Sequence, residues 1–222
     1  MTAVLDTRRA QMVRAFRWSA IFFTGFLLIT HQVLINGPLI EIDKWIHDLE
    51  RPEFRGVSGF IIRRLDDLGL RGVTATALLL AAFYIARRFK TWRPLNLAIL
   101  SVISLNIVVG FFKFWMGLTK PKVGIDLLHF GGMSYPSGHA SNALLTWGVM
   151  AYLIYRYAHV DRYRGRLASA GVAAISLTVC TVSLIRDTHW FSDLLGGLFI
   201  GAALLVLIIA IDRYWPSNSQ LS

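Results

Sequence analysis

Three short segments carry residue types that together could handle a phosphate ester. Lys113 precedes Lys120-Pro121 by seven residues, Pro136-Ser137-Gly138-His139 form a tetrapeptide, and His189 precedes Asp193 by four. A phosphate ester needs cations for its oxygens, a nucleophile, and an acid for the leaving oxygen. Ser137 and Gly138 stand directly before an apolar stretch, so the hydroxyl and the first free backbone N–H groups of a helix there would form an anion site. His139, in the first turn, reaches the same anion. His189 and Asp193, at i and i+4, share a helix face, so the carboxylate can hold one ring nitrogen while the other attacks phosphorus.

Set out in this order, the segments resemble the signature of the type 2 phosphatidic acid phosphatase family, K-x6-RP, PSGH and SR-x5-H-x3-D. The resemblance runs from about residue 66 to residue 201, and the PSGH is intact. Lys120 stands where the family has Arg, and Val182-Ser183 stand where it has Ser-Arg. The resemblance implies that His189 becomes a phosphohistidine, Asp193 orients it, and His139 protonates the departing alkoxide, with no metal or other cofactor. Lys113, Lys120, Ser137 and Gly138 would bind the phosphate. Arg186, three residues after Ser183, would supply the missing guanidinium if 183–193 is continuous helix, because it then shares a face with His189 and Asp193; Asp187 beside it would partly neutralise that charge.

The implied activity is hydrolysis of a lipid phosphomonoester or pyrophosphate, with phosphatidylglycerol phosphate, phosphatidate, polyprenyl pyrophosphate and phosphorylated glycolipids as candidate substrates. Two alternatives stand beside it: a lipid phosphotransferase using the same intermediate, and a non-catalytic lipid-binding or transport protein. Free phosphate against a phosphorylated acceptor separates the first two, and the intact His139, His189 and Asp193 argue against the third.

The elements that must position these residues are membrane spans. With 55% hydrophobic and 16% charged residues among 222, the chain is too apolar for a soluble domain and reads as one integral membrane domain over 1–222. Apolar stretches near bilayer-crossing length fall at about 18–35, 72–86, 95–112, 140–156, 168–186 and 190–211. The expected fold is therefore all-α, a bundle of six transmembrane helices, with a retained first anchor rather than a cleaved signal peptide.

The +10 net charge falls in clumps rather than over an even surface, which excludes nucleic acid as a partner and leaves topology signals and anionic lipid headgroups at the basic loops. Arg8, Arg9, Arg14 and Arg17, then Arg87, Arg88, Lys90 and Arg93, then Arg156, Arg162, Arg164 and Arg166 mark the cytoplasmic side of an inner membrane. Both termini, including 1–17, then lie inside, and the site segments 113–139 and 186–193 lie on the outer face. The 36–71 segment holds six basic and seven acidic residues and is placed outside. Within it Ile42, Trp45, Ile46 and Leu49, then Phe54, Val57, Ile61, Leu65 and Leu68, keep helical spacing, which predicts two short interfacial helices that could frame an entrance for lipid. His31, His47, His129 and His159 match no motif and are read as structural. Cys180 is read as a small buried hydrophobe, and Gly197 with Gly201 as a helix-packing pair.

Overall fold

The computed structural model describes residues 2–121, 132–158 and 160–214, so His129, His159 and part of the 113–139 segment lie outside the described residues. Six long helices occupy the six apolar stretches: α1 (Thr2–Leu34), α4 (Arg71–Arg88), α5 (Arg93–Met116), α6 (Gly138–Tyr157), α7 (Arg162–Ile185) and α8 (Phe191–Tyr214). Two short helices, α2 (Pro38–His47) and α3 (Gly56–Asp66), fall where the 36–71 segment has helical spacing, and a 3-10 turn, Asp67–Gly69, leads α3 into α4.

Four of the described helices are long and apolar enough to cross a membrane: Asp6–Leu34 of α1, α5, α7 and α8. The pair Gly56–Gly69 and Arg71–Arg88, bent by 57°, makes a fifth if it forms one broken span. The protein is thus a multi-pass, all-helical membrane protein, but the count of crossings that meet this criterion is four or five rather than six. Helix α6 falls short because His139, Ser141, Asn142 and Thr146 occupy its first half. It tolerates them because it is the central helix, packed by α4, α5, α7 and α8, and because Ser141, Asn142 and Thr146 donate back to the carbonyls of Ser137, Gly138 and Asn142, one turn earlier.

Helix α8 lies between α1 and α6, and the core between these layers holds Phe26, Val33, Leu145, Val149 and Ile200. The Gly197–Gly201 pair packs as its spacing suggests. A Cβ at Gly197 would sit 2.5 Å from Ser137 O, and one at Gly201 3.2 Å from Ser141 O, so the bare backbone of α8 meets the start of α6. At the other end of the bundle Asp212 ties α5, α6 and α8 together: Arg93 Nε lies 2.5 Å from Oδ1, while Tyr152 OH at 2.6 Å and Arg156 Nε at 3.2 Å approach Oδ2.

Helices α2 and α3 turn most of their apolar residues outward, Ile40 of α2 excepted, and turn Asp43 and Asp66 inward. Trp45 is 64% exposed and Val57 76%, whereas Asp43 is 1% exposed and Asp66 7%. That polarity suits a helix whose outer face meets lipid and whose inner face completes a polar site. Cys180 is half-buried on α7, not wholly in the core.

Candidate active site

Two helix N-termini meet at one point and define the site. Ser137 is the N-cap of α6, its extended backbone letting Oγ accept from Ala140 N–H at 3.3 Å. The first N–H groups of α6, on Gly138 and His139, are those a helix start leaves for an outside acceptor. The N-terminus of α8 is capped from two directions. Asp193 Oδ2 accepts from Trp190 N–H at 3.0 Å, and Asp43 of α2 accepts from Ser192 N–H at 2.8 Å and Ser192 Oγ at 2.5 Å. Ser137 N–H donates to Asp193 O at 2.9 Å, locking the two ends together.

His189 and Asp193 form the expected pair, with Nδ1 3.2 Å from Oδ2. The helical premise behind it needs correction. Helix α7 ends at Ile185 and α8 begins at Phe191, so 183–193 is not continuous and Arg186, His189 and Asp193 share no helix face. The contact survives because side chains on a helix lean toward its N-terminus, so a carboxylate in the first turn of α8 reaches back to the residues before it. Asp193 is fully buried, and Oδ2 also accepts from Ser134 Oγ. Among the described residues its buried Oδ1 has no hydrogen-bond partner. The His139 and His189 rings lie 5.8 Å apart, tilted by 58°, so both imidazoles face one space.

The phosphate-binding candidates are distributed around this space. Lys113, near the end of α5, donates to Met133 O and, at 3.1 Å, to Ser134 O, and its stem lies 4.0 Å from where a Gly138 Cβ would be. Lys120 is exposed, just beyond Thr119, whose carbonyl accepts from Trp190 Nε1 at 3.0 Å. Arg186 caps the end of α7 and donates to Asp66 Oδ2. Ser183 Oγ donates to Asp66 Oδ1 at 3.3 Å, so residues 183 and 186 converge on one carboxylate. His139 Nε2 lies 3.9 Å from Asp66 Oδ2, which places Arg186 beside the histidine pair. Among the described residues Asp187 forms no ion pair with Arg186. Held in the left-handed region at φ 54°, it pairs instead with Arg51 and His47, both at 3.0 Å.

Sequence reasoning missed Asp43, Asp66 and Ser134. A usable signal existed for the first two, since each acidic residue falls within an amphipathic segment but off its apolar stripe. Ser134 had none, because its role depends on how the 132–137 loop folds back on α8. Tyr135, wholly buried in that loop, bonds Thr30 at 2.7 Å; burial pushes its phenol well above the usual range, so it stays a neutral spacer. Among the described residues, no three His, Cys, Asp or Glu side chains gather where a metal ion could sit.

A sequence profile of the PAP2 superfamily matches residues 94–216, more than half of the chain. Phosphatidylglycerophosphatase B of Bacillus subtilis (strain 168) is 29% identical over 126 residues, which cover 56% of this chain and 60% of that relative. The chain thus matches less than two thirds of the relative's length. The crystal structure of a transmembrane PAP2-type phosphatidylglycerolphosphate phosphatase from Bacillus subtilis superposes with a TM-score of 0.73, covering 87% of this chain and 95% of that one at 19% identity. This last likeness concerns the fold.

Proposed function

Because the chain belongs to the PAP2 superfamily, we propose that it hydrolyses a phosphomonoester or pyrophosphate of a membrane lipid through a phosphohistidine on His189. The observation that carries this reading is the buried His189–Asp193 pair facing the His139 ring where the starts of α6 and α8 meet. With Nδ1–H directed to Asp193, His189 Nε2 holds the free lone pair and attacks phosphorus. The P–O bond to the lipid breaks as His139 delivers a proton to the leaving oxygen. Water then attacks the phosphohistidine, giving its proton to His139, and inorganic phosphate leaves while His189 is restored.

Phosphate oxygens are held by the Gly138 and His139 N–H groups, the Ser137 hydroxyl, Lys113 and Lys120, with Arg186 reaching them from its seat on Asp66. Asp66 is a positioning residue that aims both Arg186 and His139. Phosphatidylglycerol phosphate is the first substrate to try, given the Bacillus subtilis relative.

In this reading α4 and α6 also cross the membrane, making six spans with α2 and α3 in the interface. The site lies at the ends of α5, α6 and α8 remote from Arg93, Arg156 and Asp212, so the basic loops and both termini are cytoplasmic and the site opens on the outer face of the inner membrane. The test is phosphate release from a panel of lipid phosphates in detergent by wild type and His189→Ala. Turnover and acid-labile, base-stable phosphorylation should both vanish in a folded His189→Ala. Wild-type-like release by that variant refutes the mechanism, and a phosphorylated acceptor in place of free phosphate makes the protein a phosphotransferase.

A further inference from the structure

Helix α7 packs on α3 and α6 but makes little contact with α8. Between α7 and α8, with α6 as its floor, lies a cavity of about 630 Å³ at the end of the bundle remote from the histidines. Its interior is apolar and lined by small residues, Gly148 and Ala151 on the floor and Ala173 on the α7 wall. A Cβ at Gly148 would stand 2.6 Å from Leu205, so the glycine lets α8 approach while the cavity opens beside it. The mouth carries Arg162, Arg166 and Arg213, all exposed.

No carboxylate lines this cavity, and among the described residues none of the three guanidinium groups has an ion-pair partner. Asp161 caps Arg164 N–H at 2.9 Å, and Asp212 is turned inward to Arg93, Arg156 and Tyr152. Arg213 stacks over the Tyr152 ring at 5.5 Å, which fixes its place at the rim. Tyr155 is seated against Gly165, where an added Cβ would stand 2.9 Å from its ring. Three uncompensated forks above an apolar slot match one chemistry, an acyl chain below a headgroup of net negative charge. The volume lies in the range of small-molecule sites.

We propose that this cleft binds one anionic phospholipid, its net negative headgroup held by Arg162, Arg166 and Arg213 and an acyl chain laid between α7 and α8. The site is separate from the histidine pair and does not depend on the reaction assigned there.

Native mass spectrometry of the full chain, delipidated in detergent and titrated with phosphatidylserine or phosphatidylcholine, tests it. Phosphatidylserine is a phosphodiester, neither substrate nor product of a phosphomonoesterase. The wild type should retain one phosphatidylserine at least tenfold more tightly than phosphatidylcholine. The triple variant R162Q/R166Q/R213Q should lose that preference, at roughly fivefold per arginine. Ala173→Trp, which fills the slot without changing charge, should lose retention of both lipids, and His189→Ala should bind as wild type does. Millimolar glycerophosphoserine should not displace the lipid, because the chain supplies the apolar contact. Equal retention of the two lipids by the wild type overturns the proposal. So does undiminished preference in either groove variant, or a wild-type dimer that Ala173→Trp dissociates, which would make the cleft a seat for a second copy. The triple variant should keep the wild-type melting temperature in detergent, marking it as folded.

Discussion

Replacing Arg186 separates two roles that the structure superimposes on one guanidinium. Arg186 donates to Asp66 Oδ2, and the side chains are 30% and 11% exposed. Removing one member of a buried pair costs about 3–5 kcal/mol, and solvent access to Arg186 lowers that to roughly 1–3 kcal/mol. Arg186→Ala should therefore destabilise, leaving Asp66 with the Ser183 hydroxyl at 3.3 Å and His139 Nε2 at 3.9 Å. If the guanidinium also meets the phosphoryl oxygens in the transition state, kcat/KM should fall about a hundredfold or more, near 2.7–4 kcal/mol. The double variant Asp66→Asn with Arg186→Ala has no uncompensated carboxylate, so its melting temperature should recover while kcat/KM stays low. Arg186→Lys should restore only part of the rate, since a point charge replaces a fork poorly. Ser183→Arg with Arg186→Ala puts a guanidinium at the family's position, still in α7 and within reach of Asp66, and should regain activity. The assays are phosphate release in detergent and thermal unfolding of each purified variant. Near-normal kcat/KM in Arg186→Ala, or recovery of both rate and stability in the double variant, refutes a catalytic role and leaves Arg186 as counter-ion to Asp66.

Asp193→Asn should keep the fold but lower kcat by about 10³–10⁴, because an amide facing His189 Nδ1 favours the wrong tautomer; loss of less than tenfold counts against the dyad. Gly197→Leu should force α8 off the start of α6, where a Cβ stands 2.5 Å from Ser137 O, costing about 1–3 kcal/mol and most activity, visible as a lower melting temperature. With Cys180 replaced, a cysteine at Glu53 should be labelled by an impermeant reagent on intact cells and one at Arg164 should be protected; the reverse pattern places the site in the cytoplasm.

The sequence by itself determined the six long helices, because apolar runs of bilayer length are a local, one-dimensional property, and it located Ser137 at a helix start for the same reason. It also paired His189 with Asp193, since four residues is a short enough separation for local geometry to bring them together even across a helix start. The tertiary structure decided what depends on residues far apart in the chain. Asp66 and Arg186, 120 positions apart, form one ion pair, and Asp43 caps a helix that begins 148 residues later. It also decided that the helix is interrupted between Ile185 and Phe191, where the Arg51 and His47 contacts hold Asp187 in a left-handed turn that no helical periodicity records. The partners of a buried charge are set by which helices pack together, and packing is a property of the whole bundle rather than of any segment within it.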